Sequence, residues 1–178
     1  MSREVLALAM AQVGEFLALL LLVSGVRKWL WRERVVRAVH SLTEVPDGFA
    51  WVLALFASVG EVGGGVLMAM PATRQWGASI AIALWSVYLV LIYRAIVHGR
   101  RALDCDCSFS ASRHLLGWFE VARNAVLIGF AVAVLCAADP AADILDPRAL
   151  LAAVALMVIY VSLDVAMNLD LRPAAGST

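Results

Sequence analysis

Five stretches of almost unbroken apolar sequence, each about as long as a bilayer is thick, leave this chain few ways to fold. A helix rises ~1.5 Å per residue and needs ~20 apolar residues to cross a membrane. Residues 5–26, 49–70, 77–97, 115–136 and 149–167 fit that length, with single charges inside some of them. Lipid offers no partner to backbone N–H and C=O groups, so such runs must be helices that satisfy their own hydrogen bonds. Hydrophobic residues make up 63% of the 178 and charged residues 16%, whereas soluble domains are roughly half apolar and a quarter charged. The expected fold is therefore all-α, a polytopic membrane bundle of four to five transmembrane helices. The fifth is the least regular, because Asp164, Asn168 and Asp170 crowd its end. No Pro/Gly/Ser-rich stretch offers a linker, so residues 1–178 read as a single integral membrane domain. A formal net charge of zero argues against nucleic acid as a partner, and three cysteines are too few for a disulfide-stapled secreted fold.

The first run exceeds the ~7–15-residue apolar core of a signal peptide and contains Glu15, so it reads as a retained span. Residues 27–45 are not a plain loop. Trp31, Val35, Val39 and Leu42 recur at helical spacing, while Lys28, Arg32, Arg34 and Arg37 take other positions. That pattern predicts an amphipathic helix lying at the headgroup level after the first span.

Of the 14 Lys and Arg residues, ten fall in segments 27–48 and 94–114 or the C-terminal tail. With five spans, the positive-inside rule puts those segments in the cytoplasm.

Chemistry concentrates in the charged segment between the third and fourth runs, which holds Cys105-Asp106-Cys107, two of the three cysteines. Thiolates are the reactive form in dithiol exchange, and a disulfide across one intervening residue demands a strained, reducible geometry. Asp104 and Asp106 act to raise the thiol pKa; Arg100, Arg101, Arg113 and the following helix N-terminus act to lower it. His114 is placed to relay a proton. Zinc or copper is the rival for Cys105, Cys107 and His114, but structural zinc sites space their cysteines by two to four residues, so no metal is assigned. Cys136, at the far end of the fourth run, reads as a small buried apolar residue across the membrane from the pair.

Glu15, Glu61, Arg123 and Asp164 are costly in lipid and should face the bundle interior in pairs. Glu61 or Glu15 is the expected partner of Arg123, with Glu120 three residues away as an alternative. Glu61 is flanked by Gly60 and Gly64, which permit close helix approach. Trp85, Ser86 and Tyr88 give the third run a polar-aromatic stretch suited to a membrane quinone, although packing is the more ordinary role of such residues.

Taken together, these residues resemble the MauE/DoxX-like redox-associated membrane proteins. The resemblance covers most of the chain. It rests on Ser24-Gly25-Val26-Arg27-Lys28 after the first run, Glu61 with its glycines, His98-Gly99-Arg100, Cys105-Asp106-Cys107-Ser108-Phe109, and Arg123-Asn124. The cysteine pair followed by Arg-Asn in a membrane helix is its specific part. The family tends toward Cys-x-Cys-Phe-Gly, whereas here Ser108 precedes Phe109 and Ser110 follows it. The resemblance implies a DoxX-like helix bundle in the bacterial inner membrane, with Cys105 and Cys107 as a redox pair and Glu61, Arg123, Asn124 and His114 in support. It also implies a thioredoxin-like partner and an exported client enzyme such as methylamine dehydrogenase. That partner requires the thiols on the outer face, in conflict with the arginine distribution. Two other readings stand beside it: a quinone-linked membrane oxidoreductase of the DsbB or vitamin K epoxide reductase type, and a non-catalytic structural subunit of a membrane complex.

Overall fold

Each apolar run folds as a helix, and the breaks between helices fall where the sequence removes a backbone donor or relaxes a backbone angle. The structure, a computed structural model, describes residues 3–43, 45–99, 117–137 and 147–170. Its elements are α1 (Arg3–Leu30), α2 (Arg32–Thr43), α3 (Asp47–Ala69), a 3-10 turn (Pro71–Thr73), α4 (Arg74–Val97), α5 (Trp118–Ala137) and α6 (Pro147–Asp170). Proline at 71 has no N–H to donate and forces Met70 into extended backbone (φ −90°, ψ 121°), which ends α3. Gly99 ends α4 by adopting φ 72°, a left-handed angle that a side chain resists.

Among the described residues, four helices are long and apolar enough to cross a membrane: Leu8–Leu30, Gly48–Ala69, Pro71–Val97 and Trp118–Ala137. The chain is thus a polytopic membrane helix bundle, as its composition predicts. The fifth run forms α6, whose described apolar stretch, Leu150–Ala166, is shorter than the other four. On α4 the exposed Trp76 and Tyr93 lie 17 positions apart, about 26 Å along the axis and close to the thickness of the hydrocarbon core. Interfacial aromatic belts have that spacing.

Helix α1 sits at the centre and touches every other helix. Leu17, Leu20 and Leu21 of α1 form the core with Met68 of α3, Ala78, Ala81 and Trp85 of α4, Leu127, Ala131 and Val134 of α5, and Ala153 of α6. Glycines set the helix spacing. A Cβ on Gly65 would lie 2.8 Å from Leu22 Cγ and 3.0 Å from the Ala18 carbonyl oxygen, and one on Gly64 2.9 Å from Ile80 Cγ2. Helix α3 is therefore wedged between α1 and α4, with backbones closer than any larger residue allows. Large apolar side chains such as Phe56, Trp76 and Leu151 point outward, as suits a lipid solvent.

The amphipathic helix exists but begins later than its pattern suggests. Lys28, Trp29 and Leu30 still belong to α1, and α2 starts at Arg32. Its apolar face rests on protein: Val35 and Ala38 are buried, and Leu42 packs against Ile92 and Ile96 of α4. The family-like stretch Ser24–Lys28 likewise lies within α1, not after it.

Candidate functional site

Side chains on a helix lean toward its N-terminus, so a residue near the C-terminal end of a spanning helix reaches back into the bundle. Lys28, in the last turn of α1, does this. Gly25, one turn earlier, lets α3 approach; a Cβ there would lie 2.7 Å from Val62 Cγ2 and 3.1 Å from both Glu61 Cβ and the Ser58 carbonyl oxygen. The close contact brings Glu61, 1% exposed, under the lysine. Lys28 Nζ donates to Glu61 Oε1 at 2.5 Å and to Tyr88 Oη at 2.8 Å. The Tyr88 hydroxyl donates to the same Oε1 at 2.9 Å, closing a three-membered ring of contacts from α1, α3 and α4. Glu61 Oε2 has no hydrogen-bond donor among the described residues.

A second pair lies beside the first. Arg123 Nη1 of α5 donates to Asp164 Oδ1 of α6 at 3.0 Å, with Asp164 2% exposed. Asn124 is held by a bond from its Nδ2 to the Glu120 carbonyl oxygen at 2.8 Å. The Glu120 carboxylate turns back to accept the Gly117 N–H at 2.9 Å, one half of a capping box that starts α5. Of these groups Lys28, Glu61, Tyr88, Arg123 and Asn124 line a cavity of about 450 Å³, together with Ser24, Trp85, Tyr160, Leu20, Leu21 and Leu127. Its charges balance as Lys28 with Glu61 and Arg123 with Asp164. Such a space can hold a polar or aromatic group, and Glu61 Oε2 can accept a proton or a ligand's hydrogen bond there.

The sequence-predicted residues Glu61, Arg123 and Asn124 thus meet in one cavity. Their expected pairing does not hold: Arg123 bonds Asp164, Glu61 bonds Lys28, and Glu15 faces Arg74 Nη2 at 4.0 Å in a separate place. Six charges along helices of known order admit several pairings, and only the rotation of each helix selects one. Cys136 is exposed rather than buried. Trp85 and Tyr88 line the cavity, whereas Ser86 does not. Cys105, Cys107 and His114 lie outside the described residues, in the stretch joining Gly99 to Gly117. The ends of that stretch are drawn together, with the rings of Tyr93 and Trp118 6.1 Å apart in an edge-to-face contact. Arg123 is five residues into α5 from Trp118, about 7.5 Å along the helix.

Lys28 and Tyr160 were not apparent as cavity residues from sequence. Lys28 was grouped with the basic surface tract, yet Leu17, Leu21, Ser24 and Lys28 follow one another at three- and four-residue steps. That continuous stripe marks Lys28 as inward-facing.

A family model described as "Methylamine utilisation protein MauE" matches residues 5–137. The chain belongs to the MauE family. The matched residues contain every cavity residue except Tyr160 of α6, and Asp164, the partner of Arg123, lies beyond them too. Among curated MauE relatives, the methylamine utilization protein MauE of Paracoccus denitrificans is 30% identical over 166 residues, 92% of this chain and 89% of the relative. That of Methylorubrum extorquens is 30% identical over 151 residues, 84% of this chain and 81% of the relative. That of Paracoccus versutus is 29% identical over 166 residues, 91% and 89% respectively. No solved structure matches the chain.

Proposed function

We propose that this MauE-family chain is an accessory membrane protein of methylamine utilisation that exchanges electrons through Cys105 and Cys107 with a thioredoxin-like partner. The exchange supports disulfide formation in an exported enzyme such as methylamine dehydrogenase. The whole chain, residues 1–178, acts as one unit in the bacterial inner membrane. The observation that carries this reading is the position of the ionic cavity. Arg123, Asn124 and Glu61 line it, and the segment holding both cysteines enters α5 less than two turns from Arg123.

In the oxidising direction, a partner thiolate attacks the Cys105–Cys107 disulfide and forms a mixed disulfide, releasing one cysteine as thiolate. The partner's second thiol then displaces the other cysteine. The partner leaves oxidised and the pair reduced by two electrons. In reverse, a thiolate of the pair attacks a partner disulfide and the second cysteine resolves it. Arg123 and the Lys28–Glu61 pair set the field at the thiols, and His114 relays the proton.

The test is growth on methylamine of a host whose own copy is deleted and replaced by Cys105→Ser/Cys107→Ser. Loss of growth, with trapping of a mixed disulfide by either single variant, supports the reading. Full growth by the double variant refutes it and favours a structural subunit. Labelling in intact cells with a membrane-impermeant thiol reagent, before and after reduction, determines which face carries the pair.

The aromatic cavity wall of Trp85, Tyr88 and Tyr160 favours a second reading, in which a membrane quinone takes electrons from the reduced pair. Reduction of a quinone analogue by the purified protein, lost when either thiol is removed, distinguishes it.

A further inference from the structure

On the lipid-facing side of Lys28 lies a second concavity, separate from the ionic cavity. The faces of α1, α2 and α3 that form it are read from spacing. Trp29, Arg32 and Val36 follow one another at three- and four-residue steps across the α1–α2 junction. Trp51, Leu55 and Ser58 do the same along α3. Together with Ala54 they enclose a groove of about 400 Å³ of empty space. Its apolar lining is Trp29, Val36, Trp51, Ala54 and Leu55, and its polar residues are Lys28, Arg32 and Ser58. The Lys28 ammonium is turned away to Glu61 and Tyr88. The cation left for the groove is therefore Arg32, which is exposed. Trp29 and Trp51, 62% and 52% exposed, flank the mouth.

The groove's position specifies what fits. It opens at the end of the bundle where Trp29, Trp31, Phe49 and Trp51 are all exposed, the composition of an interfacial aromatic belt. From Trp51 to Ser58 it descends seven residues, about 10 Å, into the hydrocarbon region. An occupant must therefore carry an anionic group at headgroup level and an apolar chain below it. Arg32 supplies planar donors suited to a phosphate oxygen, and Trp29 and Trp51, which also line the groove, each carry an indole N–H donor. Arg27 and Arg34 are stacked on the Trp31 ring, at 4.8 and 5.8 Å from its centroid, and keep the surrounding potential positive.

We infer that this groove is a binding site for a single anionic phospholipid, with its phosphate on Arg32 and an acyl chain lying along Val36, Trp51, Ala54 and Leu55. The lipid covers exposed apolar surface of α3 and ties the start of α2 to the bundle. The site is independent of thiol chemistry at Cys105 and Cys107.

The test is native mass spectrometry of the full-length protein released from vesicles containing equal phosphatidylglycerol and phosphatidylcholine. Wild type should retain phosphatidylglycerol in preference. Arg32→Gln, an exposed position whose change does not disturb packing, should lower its occupancy about tenfold, the loss of one charge-assisted hydrogen bond. Arg34→Gln, outside the groove, should leave it near wild type. Leu55→Trp, which fills the groove, should displace either lipid. Equal retention of the two lipids, equal losses from Arg32→Gln and Arg34→Gln, or full occupancy in a folded Leu55→Trp protein would each overturn the assignment.

Discussion

Replacing Lys28 by methionine tests whether the Lys28–Glu61–Tyr88 cluster is the buried, dry unit its geometry describes. Methionine keeps the length and much of the bulk of lysine, so packing against Gly25 and Ser58 changes little. What changes is charge. Glu61, 1% exposed, loses its cation and retains only the Tyr88 hydroxyl as a donor on Oε1. Removing one partner of a buried ion pair costs about 3–5 kcal/mol, because the remaining charge stays desolvated. Glu61→Leu alone should cost a similar amount, leaving the ammonium stranded against the Tyr88 ring. The double variant Lys28→Met/Glu61→Leu should cost less than either single change, since apolar residues of like volume replace a buried pair at little net loss. Reversible unfolding in mixed micelles, followed by the fluorescence of the six tryptophans, measures all three. If each single change costs under ~1 kcal/mol, the scale of a solvated surface pair, the cluster is wet and the reasoning fails. A double variant that costs the sum of the singles would refute the coupling itself.

Tyr88→Phe removes both hydrogen bonds to Lys28 and Glu61 and should destabilise by about 1–3 kcal/mol in the same assay. Gly25→Ala places a methyl group 2.7 Å from Val62 Cγ2 and should cost about 1–3 kcal/mol through overpacking, with part of the loss recovered by Val62→Ala. Arg123→Leu leaves Asp164 buried without its guanidinium and should cost about 3–5 kcal/mol, and Arg123→Lys should recover only part of it, both read from unfolding midpoints.

The all-α membrane architecture was legible because it follows from a local property, apolar run length. Asn124 came from the family resemblance alone, whereas Glu61 and Arg123 were legible as interior residues because a charge in a membrane run has few other places to go. The partners were not. Lys28 looked like one more member of the Arg27–Arg37 basic tract, and its inward direction depends on α1 continuing four residues past the apolar run. Cysteine is usually buried, yet Cys136 is exposed among the described residues.

The linear order of residues was enough to establish that this chain must be a set of helices in lipid, because each helix satisfies its backbone from within its own segment. Which buried charge meets which is a relation between helices far apart in the chain. It depends on their rotation and separation, and these come from Gly25, Gly64 and Gly65 fitting against Val62, Ile80 and Leu22. That contact geometry, absent from any single segment, joins Lys28 to Glu61, and the rotation of α5 and α6 sets Arg123 against Asp164.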